Sequence, residues 1–539
     1  MDRQSNIVQS EKSLSQFKSE DVQAQNLINQ VVPAIQPIQE ESVIKKAQES
    51  VPSVTAVYTM EQYLIDPIVT HLQGLSLNQV FCKAVNSIIY LGISYYYFYL
   101  FGVKAFNYLI LQEVLFQISS AISDGLYQVS VCQLAVNLLS SEKLSAQETF
   151  SISILAGSIL SIFAGIILVF LFPVFQAATG VDSIFKTAFQ AQAITNPLLS
   201  SLSSGFHHRY RLENRRFLIF SRQLFSSISH LVFTGLAIFF GGSASSSQIG
   251  FIISQLVFVF WNMLILSGHS MWHIPLFDQF QITPVYFFTV LRDVKTWGPV
   301  FKLIAGSISN ILCYLSGSVQ VLIILNAVLK NNGTTSNVSM VFIYFWFGQI
   351  GRICSPIGQN LAVLLTVNKG HDDKSRISTG ILRGMILGIG GSGVIAVIFI
   401  IFYKQILSFF MTAETVEIIT NSSNAGEAAT FGFIAAVIDT MINTVQNTNI
   451  ALGRQLVQTI IFVGRLITSV ALVLVINTKI ATSDNYLRSL LFCDCAAGAT
   501  AIASLLVYMF KMQVSQKDVK KKKQKSRRKS IDEELAKAM

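Results

Sequence analysis

Residues 150–175 read FSISILAGSILSIFAGIILVFLFPVF, which is 26 consecutive residues without one charged side chain. An α-helix rises about 1.5 Å per residue, so about 20 apolar residues are enough to cross the hydrocarbon core of a bilayer. This stretch therefore predicts a transmembrane helix, and it is longer than a single span requires.

Eleven further segments have a similar length and composition, which makes twelve predicted spans. The longest connection, 269–298, separates the first six spans from the last six. We therefore expect an all-α polytopic membrane protein with twelve transmembrane helices in two six-helix lobes. The predicted spans are 83–103, 108–139, 150–175, 184–205, 217–240 and 247–268 in the first set, and 299–329, 338–366, 378–403, 425–451, 456–477 and 487–510 in the second.

The scarcity of charge supports this class of protein. The chain has 539 residues, of which 52% are hydrophobic and 13% are charged. Residues 79–510 hold 39 charged side chains among 432 residues, too few to cover a soluble surface of that size. These proportions exclude a secreted, nucleic-acid-binding or ordinary cytosolic globule. The formal net charge of +10 comes from basic residues in the connections predicted to be cytoplasmic and in the basic tail, so it does not indicate a basic binding surface.

Lys and Arg are concentrated in alternate connections, which predicts that both termini are cytoplasmic. The predicted regions are a mostly disordered N-terminal segment, an N-lobe, an inter-lobe connection, a C-lobe and a disordered basic tail. Their bounds are 1–78, 79–268, 269–298, 299–510 and 511–539. This orientation suits either the plasma membrane or an endomembrane, and we expect a monomer.

Three N-x-S/T sequons fall in connections that this topology places outside, so they are candidate glycosylation sites: Asn332, Asn337 and Asn421.

The two halves resemble each other. Ser227 in the fifth span and Ser469 in the eleventh follow similar Ile-Phe openings, and Gln128 in the second span corresponds to Gln359 in the eighth. Because each half has an even number of spans, both halves have the same orientation. The lobes are then parallel repeats, related by a pseudo-two-fold axis along the membrane normal.

Four short segments resemble the multidrug and toxic compound extrusion (MATE) family. Residues 100–106 (LFGVKAF) are similar to the family's Leu-Gly-x-x-Ala connection after its first helix, and residues 297–299 (WGP) are similar to the Gly-x-Pro start of its second lobe. Residues 196–205 resemble its fourth helix, and residues 439–454 resemble its tenth. The resemblance covers about residues 80–510.

This resemblance implies a secondary transporter that exports organic, cationic compounds by H⁺ or Na⁺ antiport, with no cofactor besides the coupling ion. It implies a carboxylate in the tenth helix. The acids that relatives carry in the first and seventh helices are absent, since Asn86 and Asn310 stand in those regions. A flippase for a lipid-linked saccharide or another amphiphile is an alternative on the same fold. A third interpretation is a membrane scaffold or receptor that acts through its tail.

Acidic side chains at membrane depth are candidates for ion coupling, because they are costly to bury. Removal from water favours the neutral form of a carboxyl, so such a group can exchange a proton. Asp439 in the tenth span is the first candidate, and a structural Asp paired with Arg352 is its alternative. Asp124 and Glu113 in the second span follow, although Asp124 could cap a helix break and Glu113 could lie at the interface.

Six amide side chains in the predicted spans are candidates for lining a cavity that binds a small organic substrate, with Tyr, Phe and Trp faces beside them. They are Asn310, Gln320, Gln349, Asn360, Asn443 and Gln446.

The basic tail predicts contact with anionic lipid, which phosphorylation of Ser526 or Ser530 would weaken. A plain topological anchor is the alternative. We expect neither an enzyme nor a nucleic-acid partner. The sequence has no Walker A motif and no convincing metal site, since His269 and His273 lack a clear third ligand.

Overall fold

The computed structural model of the protein describes secondary structure for eight stretches of the chain, and everything said below concerns these residues. They are 68–139, 143–212, 216–267, 297–332, 335–370, 374–420, 425–479 and 483–538. The N-terminal prediction up to residue 67 and most of the inter-lobe connection, with His269 and His273, lie outside them. All regular structure in the described stretches is helical.

A helix occupies each of the twelve predicted spans, and we number the helices accordingly. The first six are α1 Ile68–Phe101, α2 Ala105–Leu139, α3 Lys143–Phe170, α4 Lys186–Leu212, α5 Arg216–Gly241 and α6 Ala244–Ser267. The second six are α7 Trp297–Asn332, the two halves α8a Thr335–Gly351 and α8b Pro356–Gly370, α9 Lys374–Ile401, α10 Ala425–Ala451, α11 Gln455–Lys479 and α12 Ser483–Ala538.

Eight of the described helices are long and apolar enough to cross a membrane, and α8a with α8b makes a ninth. The other three, α1, α2 and α4, are long enough but more polar. Their polar groups face the protein, as α2 shows: Gln112, Ser119 and Gln128 are all buried. In a bilayer such groups are tolerated where they face other helices.

The eighth span differs from its prediction because it is broken. The helix ends at Gly351, a 3₁₀ turn covers Arg352–Cys354, and α8b starts at Pro356. The two halves meet at 43°. Proline lacks an amide hydrogen and suits the first position of a helix, which explains why the new helix starts there.

The basic tail also differs from its prediction. α12 continues to Ala538, so the segment after residue 510 is helical and not disordered. Lys, Arg, Gln, Glu and Ala all have favourable helix propensities, and a helix that is already nucleated propagates through them readily.

Helix contacts within the first six helices recur within the last six. In the N-lobe, α1 packs on α5, α2 and α3 on α4, and α5 on α6. In the C-lobe, α7 packs on α11, α8 and α9 on α10, and α11 on α12. Between the lobes, α2 contacts α7 and α1 contacts α8b. The duplicated pattern is what parallel repeats related by a two-fold axis produce.

Small residues allow the close helix contacts. A Cβ at Gly384 of α9 would lie 2.6 Å from Leu361 Cδ2 of α8b, so a glycine at this position lets the two helices approach closely. At the lobe boundary, a Cβ at Gly125 of α2 would lie 2.7 Å from Ile311 Cγ1 of α7.

Apolar packing joins the lobes towards both ends of the helices. Phe106 of α2 packs edge-on against Phe342 of α8a, with ring centroids 5.1 Å apart. Leu126 of α2 and Leu361 of α8b belong to a second buried cluster. Along α2 and α8, the residues between these two clusters are more polar, and they form the site described next.

Candidate functional site

A cavity of about 200 Å³ lies between the two apolar clusters. Helices α1, α2, α4, α5 and α6 of the N-lobe and α8a of the C-lobe line it, so we call it the inter-lobe cavity. Its polar and aromatic side chains include Lys83, Tyr90, Glu113, His230, Trp346 and Gln349.

Glu113 is the buried acid of this cavity, with 5% of the residue exposed. The Tyr90 hydroxyl donates a 2.7 Å hydrogen bond to its carboxylate, and Gln117 Nε2 donates a weaker one of 3.4 Å. None of the ion pairs found among the described residues includes Glu113. The carboxylate therefore faces the cavity without a cation in contact among the described residues.

Lys83 supplies the opposite charge. It lines the same cavity, and its Nζ donates a 3.0 Å hydrogen bond to Ser355 Oγ across the lobe boundary. Sequence reasoning missed Lys83 because it coincides with the predicted start of the first span. α1 begins 15 residues earlier, at Ile68, so Lys83 lies well within the helix.

Several polar atoms on this cavity have no hydrogen-bond partner among the described residues. They are Trp346 Nε1, Gln349 Nε2, His230 Nε2 and Gln112 Oε1. Trp346 is 1% exposed and stacks on Tyr90, with ring centroids 4.9 Å apart. A buried polar group without a partner is unfavourable, so these atoms mark places where water or a ligand can bind. His230, also missed from the sequence, is an ionisable residue within the apolar span α5.

Asp439 lies in a different environment, where Arg352 and Arg465 both donate to its carboxylate. Arg465 also pairs with Asp494, which accepts a 2.6 Å hydrogen bond from Tyr344. We call these four charged residues the C-lobe ionic cluster. The cluster has two positive and two negative charges around a space of only about 20 Å³.

The other candidate acid, Asp124, lies between α2 and α4. Its Oδ1 is 3.6 Å from His208 Nε2 and accepts a 3.1 Å hydrogen bond from Ser204. Next to it, Arg211 donates to Gln128 of the same lobe at 2.6 Å and to Gln359 of the other lobe at 2.8 Å. Asp124 thus belongs to a polar contact between the lobes.

Of the six amide side chains predicted to line a cavity, Gln349 lines the inter-lobe cavity. Gln320 accepts a 2.5 Å hydrogen bond from Arg465 in the C-lobe ionic cluster. Asn360 and Asn310 bond across the lobe boundary, to Ser76 and Gln79 of α1 and to the Gly125 carbonyl of α2.

The remaining two amides lie on α10 but do not contact Asp439. Asn443 accepts a hydrogen bond from Asn447 of the same helix, and Gln446 donates to the Asn310 carbonyl at 3.4 Å. The hydrogen-bond partners of the Asp439 carboxylate are therefore arginines and not these amides.

The modification candidates remain predictions. Asn332 ends α7 and Asn337 lies near the start of α8a, while Asn421 lies outside the described residues. Ser526 and Ser530 lie in the helical extension of α12. The six cysteines are free. The described residues contain no group of three His, Cys, Asp or Glu side chains that could hold a metal ion.

Solved structures of MATE proteins have a similar fold over most of the length of this chain. A MATE protein in complex with MaL6 gives a TM-score of 0.67 at 12% identity, covering 84% of this chain and 98% of that chain. A MOP superfamily transporter from Pyrococcus furiosus gives the same values. An outward-facing multidrug resistance MATE family transporter gives 0.67 at 13% identity with the same coverage. No protein-family model and no curated protein matches the sequence.

The chain is thus an integral, multi-pass membrane protein. Its fold is that of the MATE and MOP-superfamily transporters, which confirms the predicted twelve-helix, two-lobe architecture.

Proposed function

We propose that the protein is a secondary transporter, not an enzyme, and that it exports a small organic substrate through the inter-lobe cavity. The observation that carries this proposal is a partly polar cavity lined by both lobes, with a buried acid on its wall. A relative movement of the lobes would open such a cavity to either side of the membrane in turn. The shared fold supports the same function.

We further propose that Glu113 couples transport to a proton gradient. Its carboxylate is buried and free of ion pairs among the described residues, so a proton and an ammonium group can compete for it. Tyr90 is hydrogen-bonded to it, and the charges of Arg352 and Lys83 act on it without direct contact. Asp439, the first candidate from the sequence, is already bonded to two arginines, which favours its structural alternative.

Purified protein in proteoliposomes with an imposed pH gradient tests the coupling. The probe is the methyl ester of phenylalanine betaine, a permanent aromatic cation that does not cross lipid readily. We expect Glu113→Gln to lose proton-driven flux, because glutamine cannot release a proton. Glu148→Gln is the matched control, since Glu148 is exposed at the start of α3. Undiminished gradient-driven flux in Glu113→Gln would refute the coupling role.

A second candidate function, a flippase for an amphiphile, is favoured by an apolar groove of about 310 Å³ at the lobe boundary. The groove runs between α1 and α9, next to Lys83. An acyl chain in this groove would place its head group close to the inter-lobe cavity. The lining residues are Leu77, Val80, Phe81, Ala84, Ile353, Ile395, Ile398 and Phe399.

Movement of a fluorescent phospholipid between leaflets, with no ion gradient, distinguishes the two functions. If the protein is a flippase, filling the groove with Ala84→Trp should stop this movement. Ile88→Trp is the control, because Ile88 is 57% exposed on the same helix and does not line the groove. Equal rates with the protein and with empty vesicles would exclude the flippase for that lipid.

A further inference from the structure

Arg211 connects the two lobes at the end of the helices that the sequence predicts to be cytoplasmic. It lies in the last turn of α4, and its guanidinium donates to Gln128 Oε1 of the N-lobe at 2.6 Å and to Gln359 Oε1 of the C-lobe at 2.8 Å. Only 1% of the residue is exposed. Hydrogen bonds from a charged donor are stronger than neutral ones, so these bonds help to hold the lobes together. We call Arg211 with its two glutamine acceptors the Arg211 bridge.

The same guanidinium has a third partner, His208, one turn earlier on α4. Arg211 Nη2 lies 2.6 Å from His208 Nδ1. A guanidinium has donors and no acceptor, so Nδ1 accepts this bond and the imidazole is neutral, with its proton on Nε2. That nitrogen lies 3.6 Å from Asp124 Oδ1. The imidazole is therefore in contact with a cation through one nitrogen and faces a carboxylate with the other.

Protonation of His208 is incompatible with this arrangement. A second ring proton would occupy Nδ1, so Arg211 Nη2 would lose an acceptor and two cations would face each other at 2.6 Å. At the same time Asp124 would gain an imidazolium as its partner. The guanidinium would have to move away, and its bond to Gln359 of the other lobe would break with it.

The charges around His208 have the same effect. The titratable and charged groups that face it among the described residues are Asp124 and Tyr127 of α2, Arg222 of α5, and His207 and Arg211 of α4 itself. While Arg211 is in place, a protonated His208 would face two arginines and one carboxylate. Once Arg211 has moved away, it would face one of each. The imidazolium is thus better accommodated when the Arg211 bridge is broken.

We propose that His208 is a pH-sensitive switch of the inter-lobe contact. With a neutral imidazole, the Arg211 bridge holds the lobes together at the predicted cytoplasmic end, and protonation of the imidazole releases them. The aromatic contact between the lobes at the other end, Phe106 against Phe342, contains no titratable group and does not respond to acid. The switch requires only that the lobes can separate, and it does not depend on the substrate or on coupling at Glu113.

Distances between spin labels on the two lobes measure this opening in the full-length protein in nanodiscs. Glu148 and Ser375, exposed near the starts of α3 and α9, are replaced by p-acetylphenylalanine to carry the labels, so the native cysteines stay in place. An imidazole released from Arg211 has an ordinary pKa of about 6.5. Because the open state then binds one proton more than the closed state, the open-to-closed ratio should rise about tenfold between about pH 7.5 and about pH 5.5.

Two variants separate the switch from other effects of pH. His208→Gln should stay closed at both pH values, because a glutamine oxygen can accept the bond from Arg211 and takes up no proton in this range. His207→Gln is the matched control, since this adjacent imidazole has no printed bond to Arg211 and contacts His208 only edge-on, with ring centroids 5.9 Å apart. It should keep the tenfold response.

The inference is overturned if the label distances of the otherwise unsubstituted protein do not change with pH, or if His208→Gln keeps the full response. A response that survives in His208→Gln and disappears in Glu113→Gln would place the pH sensor in the inter-lobe cavity. That result would overturn the switch at His208 and leave the proposed coupling at Glu113 standing.

Discussion

Arg465 should be one of the most sensitive positions in the protein. Its side chain is 6% exposed, and it donates to Asp494, Asp439 and Gln320. Replacing it with Leu leaves two carboxylates with only Arg352 to balance them, a buried net charge of about −1. Removing one partner of a buried ion pair costs about 3–5 kcal/mol. The folded-to-unfolded ratio should therefore fall by roughly 10²- to 4 × 10³-fold.

The charge balance itself can be tested by a double-mutant cycle. Asp494→Asn removes the matching negative charge and keeps an acceptor for the Tyr344 hydroxyl. We expect Arg465→Leu with Asp494→Asn to be closer to the unsubstituted protein than either single variant, with a coupling energy above about 1 kcal/mol.

The measurement is the unfolding free energy of purified protein in detergent, together with the abundance of each variant in membranes. Arg488→Leu is the surface control, because Arg488 is 62% exposed and its pair with Glu427 should contribute about 1 kcal/mol or less. Additive effects of the two substitutions, or a loss below about 1 kcal/mol for Arg465→Leu, would contradict the assignment of a structural ion cluster.

Three further predictions concern the lobe boundary and the topology. Gly125→Ala should destabilise the protein by about 1–3 kcal/mol in thermal unfolding, since its Cβ would lie 2.7 Å from an α7 side chain. Gly92→Ala is the control and should not destabilise the protein, because a Cβ there would have no atom within 4 Å. Gln359→Leu removes the inter-lobe acceptor of Arg211 and should loosen the contact between the lobes. Cys132, whose Sγ lies 3.2 Å from Thr366 Oγ1 of the other lobe, should then be alkylated faster, and an unchanged alkylation rate would refute this. In intact cells that carry the protein at their surface, an impermeant maleimide should label Asn421→Cys above the unsubstituted background, whereas labelling only after permeabilisation would invert the topology.

Much of the fold could be predicted because transmembrane helices have a simple sequence pattern. A run of about 20 apolar residues is visible without any knowledge of tertiary contacts. Even the more polar helices α1, α2 and α4 are predicted, although the start of α1 and the end of α4 differ from the prediction by 15 and 7 residues. The break at Pro356 and the helical tail were missed because both depend on local backbone preferences and not on hydropathy.

The site could be predicted less well, because it depends on which helices meet. Asp439 was selected as an intramembrane acid, and Arg352 was named as its structural partner. The sequence could not show that Arg465, 26 residues later on another helix, completes the cluster. Glu113 was ranked last because it lies near a helix end, yet the burial of α2 against both lobes makes it the acid of the cavity.

The internal repeat allows the inter-lobe cavity to be compared with the C-lobe ionic cluster. The offset that pairs Gln128 with Gln359 also pairs Glu113 with Tyr344. The offset that pairs Ser227 with Ser469 pairs Gln223 with Arg465. Of these positions, Glu113 lines the inter-lobe cavity of about 200 Å³, while Tyr344 and Arg465 line the space of about 20 Å³ in the C-lobe.

The related positions Gln223 and Arg465 differ in charge and in length, because only Arg465 is a long cation. Arg465 places its guanidinium inside the C-lobe, where it bonds to both aspartates. The N-lobe has the shorter, neutral Gln223 at the corresponding position, and its acid faces open space. The aspartates of the C-lobe therefore have arginines in direct contact, while Glu113 has no cation in contact among the described residues. This asymmetry supports the proposal that Glu113, and not Asp439, is the residue that binds and releases ions.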